Sequence, residues 1–364
     1  MMSDREFGSL IMRLIQKGDM TRDETREAFY TILKDQTTEM QQGAFLAALT
    51  SKGETAEEAA GAWEAIYNLD TEKVVINSQG PLIENCGTGM DGFKTFNIST
   101  AASIIAAAGG IYMARHGARA ITSVCGTGDL AEALGVDVEC DVRVVARSIE
   151  KTGLGLFNGM SPKVHPNALR RILSKIFFGS ILNIAASLAN PAMPKRAVRG
   201  VYAKGILRPV AEVMKAIGYE RALVVYGGMD GSDKGMDEAS VCGPTFCAEL
   251  GKDGKITEYS FLPDECGLDR GDPERLTPFS DIEQEARSFV SLIRGRGDAE
   301  RTDAAILNAG LIYYVAEMAD SISDGVQKAF AALNSGEAYD TLEKWVSAQN
   351  TDPGKGRERL RSLV

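Results

Sequence analysis

The sequence predicts an α/β protein in which helices flank a mostly parallel central sheet and a small all-helical domain comes first. Residues 1–70 carry apolar residues at helical spacing, whereas short apolar segments alternate with helical ones from about residue 71 onward. Two glycine-rich turns each lie between a predicted strand and a predicted helix. We therefore place a helical domain at 1–70 and an α/β domain at 71–364.

The first domain is predicted helix by helix from its apolar spacing and its start signals. The apolar stripe over residues 7–15 favours one buried helix face. Three capping boxes predict the starts of the next helices, namely Thr21 with Glu24, Thr38 with Gln41, and Thr55 with Glu58.

The α/β domain is predicted from short apolar runs at Leu82–Cys86, Ile111–Ala114 and Ala222–Tyr226, which are typical of strands in a covered parallel sheet. A helix is expected after Pro166, and 280–335 is expected to be helical. The charged tail from Asn350 to Val364 is expected to fray.

Composition narrows the class of function. The chain has 364 residues, 25% charged and 44% hydrophobic, and its net charge of −10 opposes general binding to nucleic acid or membranes. From Lys163 to Arg221, however, eleven Lys and Arg face only two acids, which predicts either a solvated basic face or a few side chains lining an anion pocket.

Cysteine usage predicts a cytoplasmic protein. Six cysteines form no CxxC pair, and with two histidines a structural zinc site is not expected, so free thiols in a reducing cytosol are the expectation. The N-terminal segment MMSDREFG has no apolar signal region, and no apolar run has the length of a membrane span.

The two glycine turns carry the candidate chemistry. Gly87-Thr88-Gly89 and Gly126-Thr127-Gly128 are followed by Asp91 and Asp129. Glycines at such turns let backbone N–H groups approach a ligand, and the following helix N-terminus favours phosphate. One such turn would be weak support, but the segment Asn97–Thr100 adds hydroxyls, and Ser99 or Thr100 is expected at a helix N-cap.

This set of motifs resembles the anthranilate phosphoribosyltransferase family, whose signature runs GTGGD, NIST, a KHG-type turn and a CGSAD-type loop. The matching segments are Gly87–Asp91, Asn97–Thr100, Arg115–Gly117 and Cys125–Asp129, and the similarity continues to the C-terminus. The resemblance implies Mg²⁺-dependent transfer of ribose 5-phosphate from phosphoribosyl diphosphate to an aromatic amine, most simply anthranilate in tryptophan biosynthesis. It also implies a homodimer formed through the helical domain, with residues 160–185 packed on that domain as a lid over the acceptor.

The resemblance assigns roles to individual residues. Catalytic roles fall to His116, beside the acceptor amine, and to Arg115, where the family usually has lysine. Ser99, Asp237 and Glu238 are the implied metal ligands, the last two in a DE pair that precedes the segment Gly243-Pro244-Thr245. The implied substrate-binding residues are Gly87, Thr88, Gly89, Asp91, Gly92, Thr95, Asn97, Ser99, Thr100, Arg115, Thr127 and Asp129.

The chain departs from the family on the acceptor side. Ala118 follows the RHG turn where the family has asparagine, Gly179 replaces the arginine expected to hold the acceptor carboxylate, and Ala186-Ser187 replaces Gly-Pro. Without that arginine a bidentate hydrogen bond to a carboxylate is missing. The nearby candidates to replace it are Arg170, Arg171 and Lys175.

Two alternatives stay open at the level of sequence. A pyrimidine nucleoside phosphorylase shares the architecture, but its STGGxGDK-type loop is missing here. A non-catalytic relative could bind nucleic acid through the basic region 163–221, which the acidic total charge opposes.

Overall fold

The computed structural model describes residues 2–89, 91–119 and 125–364. Within these residues the chain forms sixteen α-helices and eight strands, and the strands form one sheet. In chain order they are α1 (Asp4–Ile15), α2 (Arg22–Leu33), α3 (Glu39–Lys52), α4 (Ala56–Leu69), β1 (Leu82–Cys86), α5 (Ile98–Ala108), β2 (Tyr112–Gly117), α6 (Thr127–Ala133), α7 (Val142–Thr152), β3 (Leu154–Asn158), α8 (Leu169–Ile176), α9 (Leu182–Ala185), β4 (Arg196–Gly200), α10 (Leu207–Ala216), β5 (Arg221–Gly228), β6 (Gly235–Met236), β7 (Thr245–Leu250), β8 (Ile256–Phe261), α11 (Pro273–Leu276), α12 (Ile282–Ile293), α13 (Ala299–Val315), α14 (Ile322–Asn334), α15 (Glu337–Ala348) and α16 (Pro353–Arg361).

The sheet confirms the predicted fold class and adds an antiparallel edge. Its order is β3-β2-β1-β4-β5-β7-β8, and β6 pairs with β5. The first five strands in this order run parallel, whereas β7 and β8 run antiparallel to their neighbours. Ligands gather at the carboxyl ends of parallel strands, and the loops after β1, β2 and β4 meet at that edge.

Alternation along the strands separates the two faces of the sheet. Ile83, Met113 and Val198 point into a large apolar core with α5 and the helices from α12 to α15. Ala197 and Val201 point to the other face, into a core shared with α1–α4 and α8–α10. We call these the α5 face and the helical-unit face, and neighbouring residues of one strand alternate between them.

The four N-terminal helices form as their start signals predict. Full capping boxes form at Thr21 and Thr55. At Thr38 only half of the box forms, since its hydroxyl accepts from the N–H of Gln41 at 3.2 Å while the Gln41 amide donates to the Asp4 carbonyl at 3.0 Å. The C-terminal part of the apolar stripe in α1 is split, because Leu14 is buried and Ile15 is exposed.

Residues 160–190, which we call the covering segment, include α8 and α9. A helix was expected directly after Pro166, and α8 begins three residues later, at Leu169. Leu169 and Leu182 are buried in the same apolar cluster as Phe29 and Trp63 of the N-terminal helices. The indole of Trp63 also donates to the carbonyl of Leu188 at 2.9 Å, so this segment is fastened to α4.

The expectation that the C-terminal tail frays is wrong. Residues 353–361 form α16, with Leu360 and Leu363 buried in the main core. Arg359 donates to the carbonyl of Ala133 at 2.8 Å, which ties α16 to the end of α6. The charged residues suggested a solvated tail, but Leu360 in the helix and Leu363 just after it dock this segment on the core. Across the part of the chain that the structure describes, no helix combines the length and the apolar character needed to cross a membrane.

Candidate functional site

The two glycine turns lie next to each other at the carboxyl edge of the sheet. The side-chain amide of Asn97 donates to the carbonyl of Cys125 at 3.2 Å, which joins the segment after the first turn to the start of the second. Thr127 packs against Gly117 at the end of β2, where a Cβ on the glycine would lie 3.1 Å from the threonine methyl. The segment Arg115–Gly117, predicted as a turn, is instead the end of strand β2, and it forms one site with both loops. Met90, inside the first motif, lies outside the described residues.

The predicted N-cap was wrong by two or three residues. Asn97 is the N-cap of α5 because its backbone is non-helical, with φ −72° and ψ 67°, so Ile98 is the first helical residue. Ser99 and Thr100 therefore lie inside the first turn, where the N–H of Thr100 donates to the carbonyl of Asn97 at 3.1 Å and the N–H of Ser99 donates to Glu238 Oε1 at 3.2 Å. Both side chains are buried and take part in the site instead of capping the helix.

Asp237 and Glu238, which we call the acidic pair, meet the first loop and the start of α5. Asp237 Oδ2 accepts from the N–H of Gly89 at 2.6 Å and from the hydroxyl of Thr88 at 3.4 Å. Glu238 Oε1 accepts from the hydroxyl of Ser99 at 2.7 Å and from its N–H at 3.2 Å. Segments about 140 residues apart in the chain thus share one hydrogen-bonded cluster.

The surroundings of the acidic pair do not balance two negative charges, so Glu238 keeps its proton to a higher pH than usual. Neither carboxylate forms a salt bridge with any described Lys or Arg. Burial, and then the charge of Asp237, raise the pKa of Glu238 to about 8. The pKa of Asp91 rises to about 6 for the same two reasons, although Lys94 lies 2.9 Å away and opposes the shift.

This arrangement suits a cation that brings some of its own ligands. Within the described residues no group of three metal-ligating side chains is already assembled. Mg²⁺ usually takes one or two carboxylates and completes its shell with water and phosphate oxygens. Ser99, Asp237 and Glu238 fit that requirement, because they supply a hydroxyl and two carboxyl groups, and a bound cation would favour the charged form of Glu238.

Arg115 lies on the α5 face beside the acidic pair. Its Nη1 donates to the hydroxyl of Thr100 at 2.7 Å and its Nε to the carbonyl of Asn85 at 3.3 Å. The guanidinium is buried, and its charge lowers the pKa of Glu238 against the larger effect of burial. It supplies positive charge at the site from a fixed position.

The remaining predicted substrate-binding residues line the two loops with different degrees of exposure. Gly92 is exposed and Thr95 is half-buried after the first loop, while Thr127 begins α6. Asp129 accepts from the N–H of Gly126 at 2.9 Å, so this carboxylate holds the second loop in shape.

His116 points to the opposite face, toward the covering segment. Its Nδ1 lies 3.1 Å from the carbonyl oxygen of Ser187, and its Nε2 lies 3.2 Å from Nε2 of His165. Burial, and then the charge of His165, lower the pKa of His116 to about 3. The imidazole is therefore uncharged at neutral pH, well away from the near-neutral pKa that a proton-accepting role requires.

Two side chains at this site were missed in the sequence. His165 lies against His116 and also contacts the Asp70 carbonyl through Nδ1 at 2.5 Å. Arg199 lies on β4, where its Nη2 donates to the hydroxyl of Ser187. A signal was present for Arg199, since a charged residue inside the short strand Arg196–Gly200 breaks its apolar pattern.

The three candidates to replace the missing acceptor arginine are bonded elsewhere or exposed. Arg171 donates to the side chain of Gln42 at 3.0 Å and to the carbonyl of Ile32 at 2.9 Å, both in the helical domain. Lys175 is exposed and pairs with Glu39, and Arg170 is exposed. None of the three forms a hydrogen bond or ion pair with His116, Ser187 or His165 among the contacts of the described residues.

The basic stretch from 163 to 221 does not form one continuous cationic face. Arg196 pairs with Glu317 at 2.9 Å, Arg221 with Glu249 at 3.2 Å, and Arg208 with Glu258 at 2.5 Å. Because acids from distant segments balance these arginines, the region offers little support for a nucleic-acid interface.

Comparison with known proteins agrees with the site. The family model "Glycosyl transferase family, a/b domain" matches residues 79–339, and "Glycosyl transferase family, helical bundle domain" matches residues 8–69. The anthranilate phosphoribosyltransferase of Persephonella marina is 34% identical over 92% of this chain and 96% of its own, and that of Teredinibacter turnerae is 36% identical over 93% and 98%.

Solved structures show the same fold. The anthranilate phosphoribosyltransferase of Thermus thermophilus superposes with a TM-score of 0.84 at 32% identity, covering 93% of this chain and 99% of that one. The Saccharomyces cerevisiae enzyme in complex with PRPP and Mg shares the fold with a TM-score of 0.83 at 21% identity, covering 95% and 98%. With these matches along nearly its whole length, the chain belongs to the anthranilate phosphoribosyltransferase family of glycosyltransferase enzymes.

Proposed function

We propose that this protein transfers the phosphoribosyl group from phosphoribosyl diphosphate to an aromatic amine in an Mg²⁺-dependent reaction. Anthranilate is the first candidate acceptor, which would place the enzyme in tryptophan biosynthesis. The observation that carries the proposal is the cluster in which the acidic pair accepts hydrogen bonds from Gly89 and Ser99. It joins donors suited to phosphate and carboxylates suited to a cation in one buried site.

The donor side is built to exchange partners when substrate binds. The N–H of Gly89 and the hydroxyls of Thr88 and Ser99 now donate to carboxylates. A diphosphate offers oxygen acceptors of the same kind, so these N–H and O–H groups can turn to it. Ser99, Asp237 and Glu238 are the residues that would hold Mg²⁺. When bound, Mg²⁺ neutralises the charge that accumulates on the departing diphosphate. Arg115 adds a fixed positive charge beside it.

The acceptor side lies across the sheet edge from these groups. Transfer breaks the bond between the ribose anomeric carbon and the diphosphate and forms a bond to the amine nitrogen on the opposite side of that carbon. His116 faces the covering segment and is uncharged, so we assign it the role of positioning the acceptor by hydrogen bonding. The proton released from the amine leaves to solvent, because the pKa of about 3 prevents this imidazole from holding it.

We also propose a cytoplasmic homodimer that assembles through the N-terminal helices. Met12 and Ile15 on α1 are exposed apolar side chains, which supports a contact on that helix. All six cysteines, which lie within the described residues, are free thiols, as a reducing compartment requires. Light scattering across a dilution series measures the assembly, and a monomer at all concentrations would rule out the dimer.

The central test measures diphosphate release. Protein, phosphoribosyl diphosphate and Mg²⁺ are mixed with anthranilate and with a panel of other aromatic amines. Release with anthranilate supports the whole proposal, whereas release with only another amine rejects anthranilate and keeps the transfer reaction. Phosphorolysis of thymidine, or salt-sensitive DNA binding without any diphosphate release, would support the two alternative functions instead.

A further inference from the structure

Arg199 is a buried arginine whose charge is not balanced by an ion pair. It lies on the central strand β4 and is 1% exposed. Its Nη2 donates to the hydroxyl of Ser187, while Nε and Nη1 have no hydrogen-bond partner. No salt bridge to it forms within the described residues. Nε carries one N–H and Nη1 carries two, so three buried donors are unused.

Such a group is costly unless something pairs with it. Buried charges in proteins are almost always paired or hydrogen-bonded, because burial removes the hydration that stabilises them. The charge of Arg199 acts on Glu84, because it lowers in part the pKa of Glu84 that burial raises. Glu84 is already bonded to Asn190 at 3.0 Å and to Tyr219 at 2.9 Å, and it forms no ion pair with the guanidinium.

The position of Arg199 in β4 shows on which face of the sheet its side chain lies. It is in register with Cys86, the residue immediately before the first glycine loop. Val198 points into the core of the α5 face, so Arg199 points to the helical-unit face, as does its neighbour Ser187 of the covering segment. The same segment receives His116, whose Nδ1 lies 3.1 Å from the Ser187 carbonyl oxygen.

The residues proposed to bind diphosphate and Mg²⁺ lie on the other face. Arg115 and Thr100 are bonded to each other on the α5 face, and Ser99 holds Glu238 there. An acceptor that attacks opposite to the departing diphosphate must therefore approach from the helical-unit face, where Arg199 and His116 lie. The side chain of Arg199, with its unused N–H groups, is therefore on the face from which the acceptor would approach.

We propose that Arg199 binds a carboxylate on the acceptor, in place of the family arginine for which this chain has Gly179. The inference rests on the proposed function and narrows its substrate class to aromatic amines that carry an acidic group. A guanidinium edge and a carboxylate form two parallel hydrogen bonds, which orient a planar acceptor as well as bind it. The alternatives near α8 are excluded because Arg171 and Lys175 are bonded to the helical domain and Arg170 is exposed.

The test compares two acceptors that differ in charge. Anthranilate carries the carboxylate, and its amide, anthranilamide, has nearly the same shape without the charge. Wild-type enzyme should prefer anthranilate. In Arg199→Met that preference disappears, because kcat/KM for anthranilate falls by about 10- to 100-fold through KM while the value for anthranilamide is unchanged. Arg199→Lys should recover part of the preference, since it keeps the charge but loses the fork.

The exposed Arg170 provides the matched control. Arg170→Met removes an arginine from the covering segment and should leave both acceptors unaffected. Calorimetric titration with phosphoribosyl diphosphate and Mg²⁺ should give the same heat for wild type and for Arg199→Met. An equal loss of kcat/KM with both acceptors would mean that Arg199 only supports the structure. Weaker binding of phosphoribosyl diphosphate in Arg199→Met would mean that Arg199 contacts the diphosphate. Either result overturns the proposal.

The two proposals can fail separately. If the wild type transfers to neither acceptor, the transfer assignment to these amines fails, and a titration of anthranilate into the protein with donor and Mg²⁺ decides the role of Arg199 alone. Binding to wild type and to Arg170→Met, but not to Arg199→Met, supports the carboxylate site. Equal binding to all three proteins, or no binding to any, overturns it.

Discussion

At the residue scale, the site contains buried ionisable side chains that form no ion pair or that bond to residues from distant segments of the chain. Glu238 is buried with a pKa raised to about 8, while Arg199 is buried with two nitrogen atoms unpaired. They lie on opposite faces of one sheet edge, so they cannot neutralise each other directly. Each is instead available to a ligand of opposite charge, a cation for the acid and an acid for the arginine.

Replacing the buried acid tests the cation site. Glu238→Gln keeps the shape and one acceptor for Ser99 but removes the charge. We expect kcat/KM to fall by about 100-fold or more, because a bound cation contributes several kcal/mol of charge stabilisation in the transition state. Calorimetry should show weaker binding of donor with Mg²⁺. Glu258→Gln on the exposed face of β8 is the control, and equal activity of the two variants would remove Glu238 from the metal site.

His116 makes stability depend on pH. Its pKa is lowered from 6.5 to about 3, so below pH 6.5 the unfolded chain binds a proton that the folded protein excludes. This contribution to stability is complete above pH 6.5 and is lost as the pH falls toward 3, by about 1.4 kcal/mol for each pH unit. Urea unfolding of wild type and His116→Gln at pH 7 and pH 5 measures it. The wild type should lose more stability between the two pH values, and parallel losses would show that His116 does not titrate as described.

At the element scale, local signals and long-range packing decide different helices. Thr21 and Thr55 set the starts of α2 and α4 through capping bonds within four residues, and both were predicted correctly. The start of α5 was predicted wrongly: its N-cap is Asn97, whose side chain bonds to Cys125 of the second loop and not to the helix, so no local capping signal marks it. The docking of α16 likewise depends on contacts with α6 and the main core that its charged sequence does not reveal.

The contact between α13 and α14 gives a prediction about packing. A Cβ on Gly310 of α13 would lie 2.7 Å from the backbone nitrogen and from a methyl of Val326 in α14, while a Cβ on Gly8 of α1 meets nothing within 4 Å. Gly310→Ala should lower the free energy of unfolding by about 1–3 kcal/mol through overpacking. Gly8→Ala should raise it by about 0.5–1 kcal/mol, since alanine restricts the unfolded chain. Denaturant midpoints compare the two, and stabilisation by both would mean that the two helices do not pack as closely as described.

At the scale of the whole molecule, the proposed acceptor region lies where the N-terminal helices meet the sheet through the covering segment. The indole of Trp63 in α4 is bonded to the carbonyl of Leu188, next to Ser187, which contacts both His116 and Arg199. The helical domain therefore positions groups on the acceptor side, whereas the acidic pair and the glycine loop are held within the α/β part. Acceptor binding and donor binding should respond differently to changes in the helices.

The two tryptophans of the chain test this separation. Each indole donates one buried hydrogen bond of 2.9 Å. Trp63 donates to the carbonyl of Leu188, and Trp345 in α15 donates to the side chain of Gln349 at the C-terminal end of the same helix. Both Trp→Phe variants should be destabilised, but only Trp63→Phe should raise KM for the acceptor, by roughly threefold to tenfold, which is the equivalent of one such bond. KM for the donor should stay constant in both. Equal acceptor KM values for the two variants would show that α4 does not position the covering segment.

The sequence by itself determined the fold class and the first glycine loop, whose N–H and O–H groups are proposed to bind diphosphate. Helix periodicity, capping boxes and glycine turns act over a few residues, so the fold class and the loop at Gly87–Gly89 could be predicted from neighbouring positions alone. The resemblance to a family supplied the roles of Asp237 and Glu238, which no local pattern distinguishes from a surface DE pair.

Only the tertiary structure decided which of these groups meet and which remain unpaired. The contact of the acidic pair with Gly89 and Ser99 joins segments about 140 residues apart, and strand alternation puts Arg199 on one face and Arg115 on the other. Whether a buried charge has a partner depends on every element packed around it. That property is set by the folded molecule as a whole, so Arg199 could be read in the sequence as an arginine but not as an unpaired one.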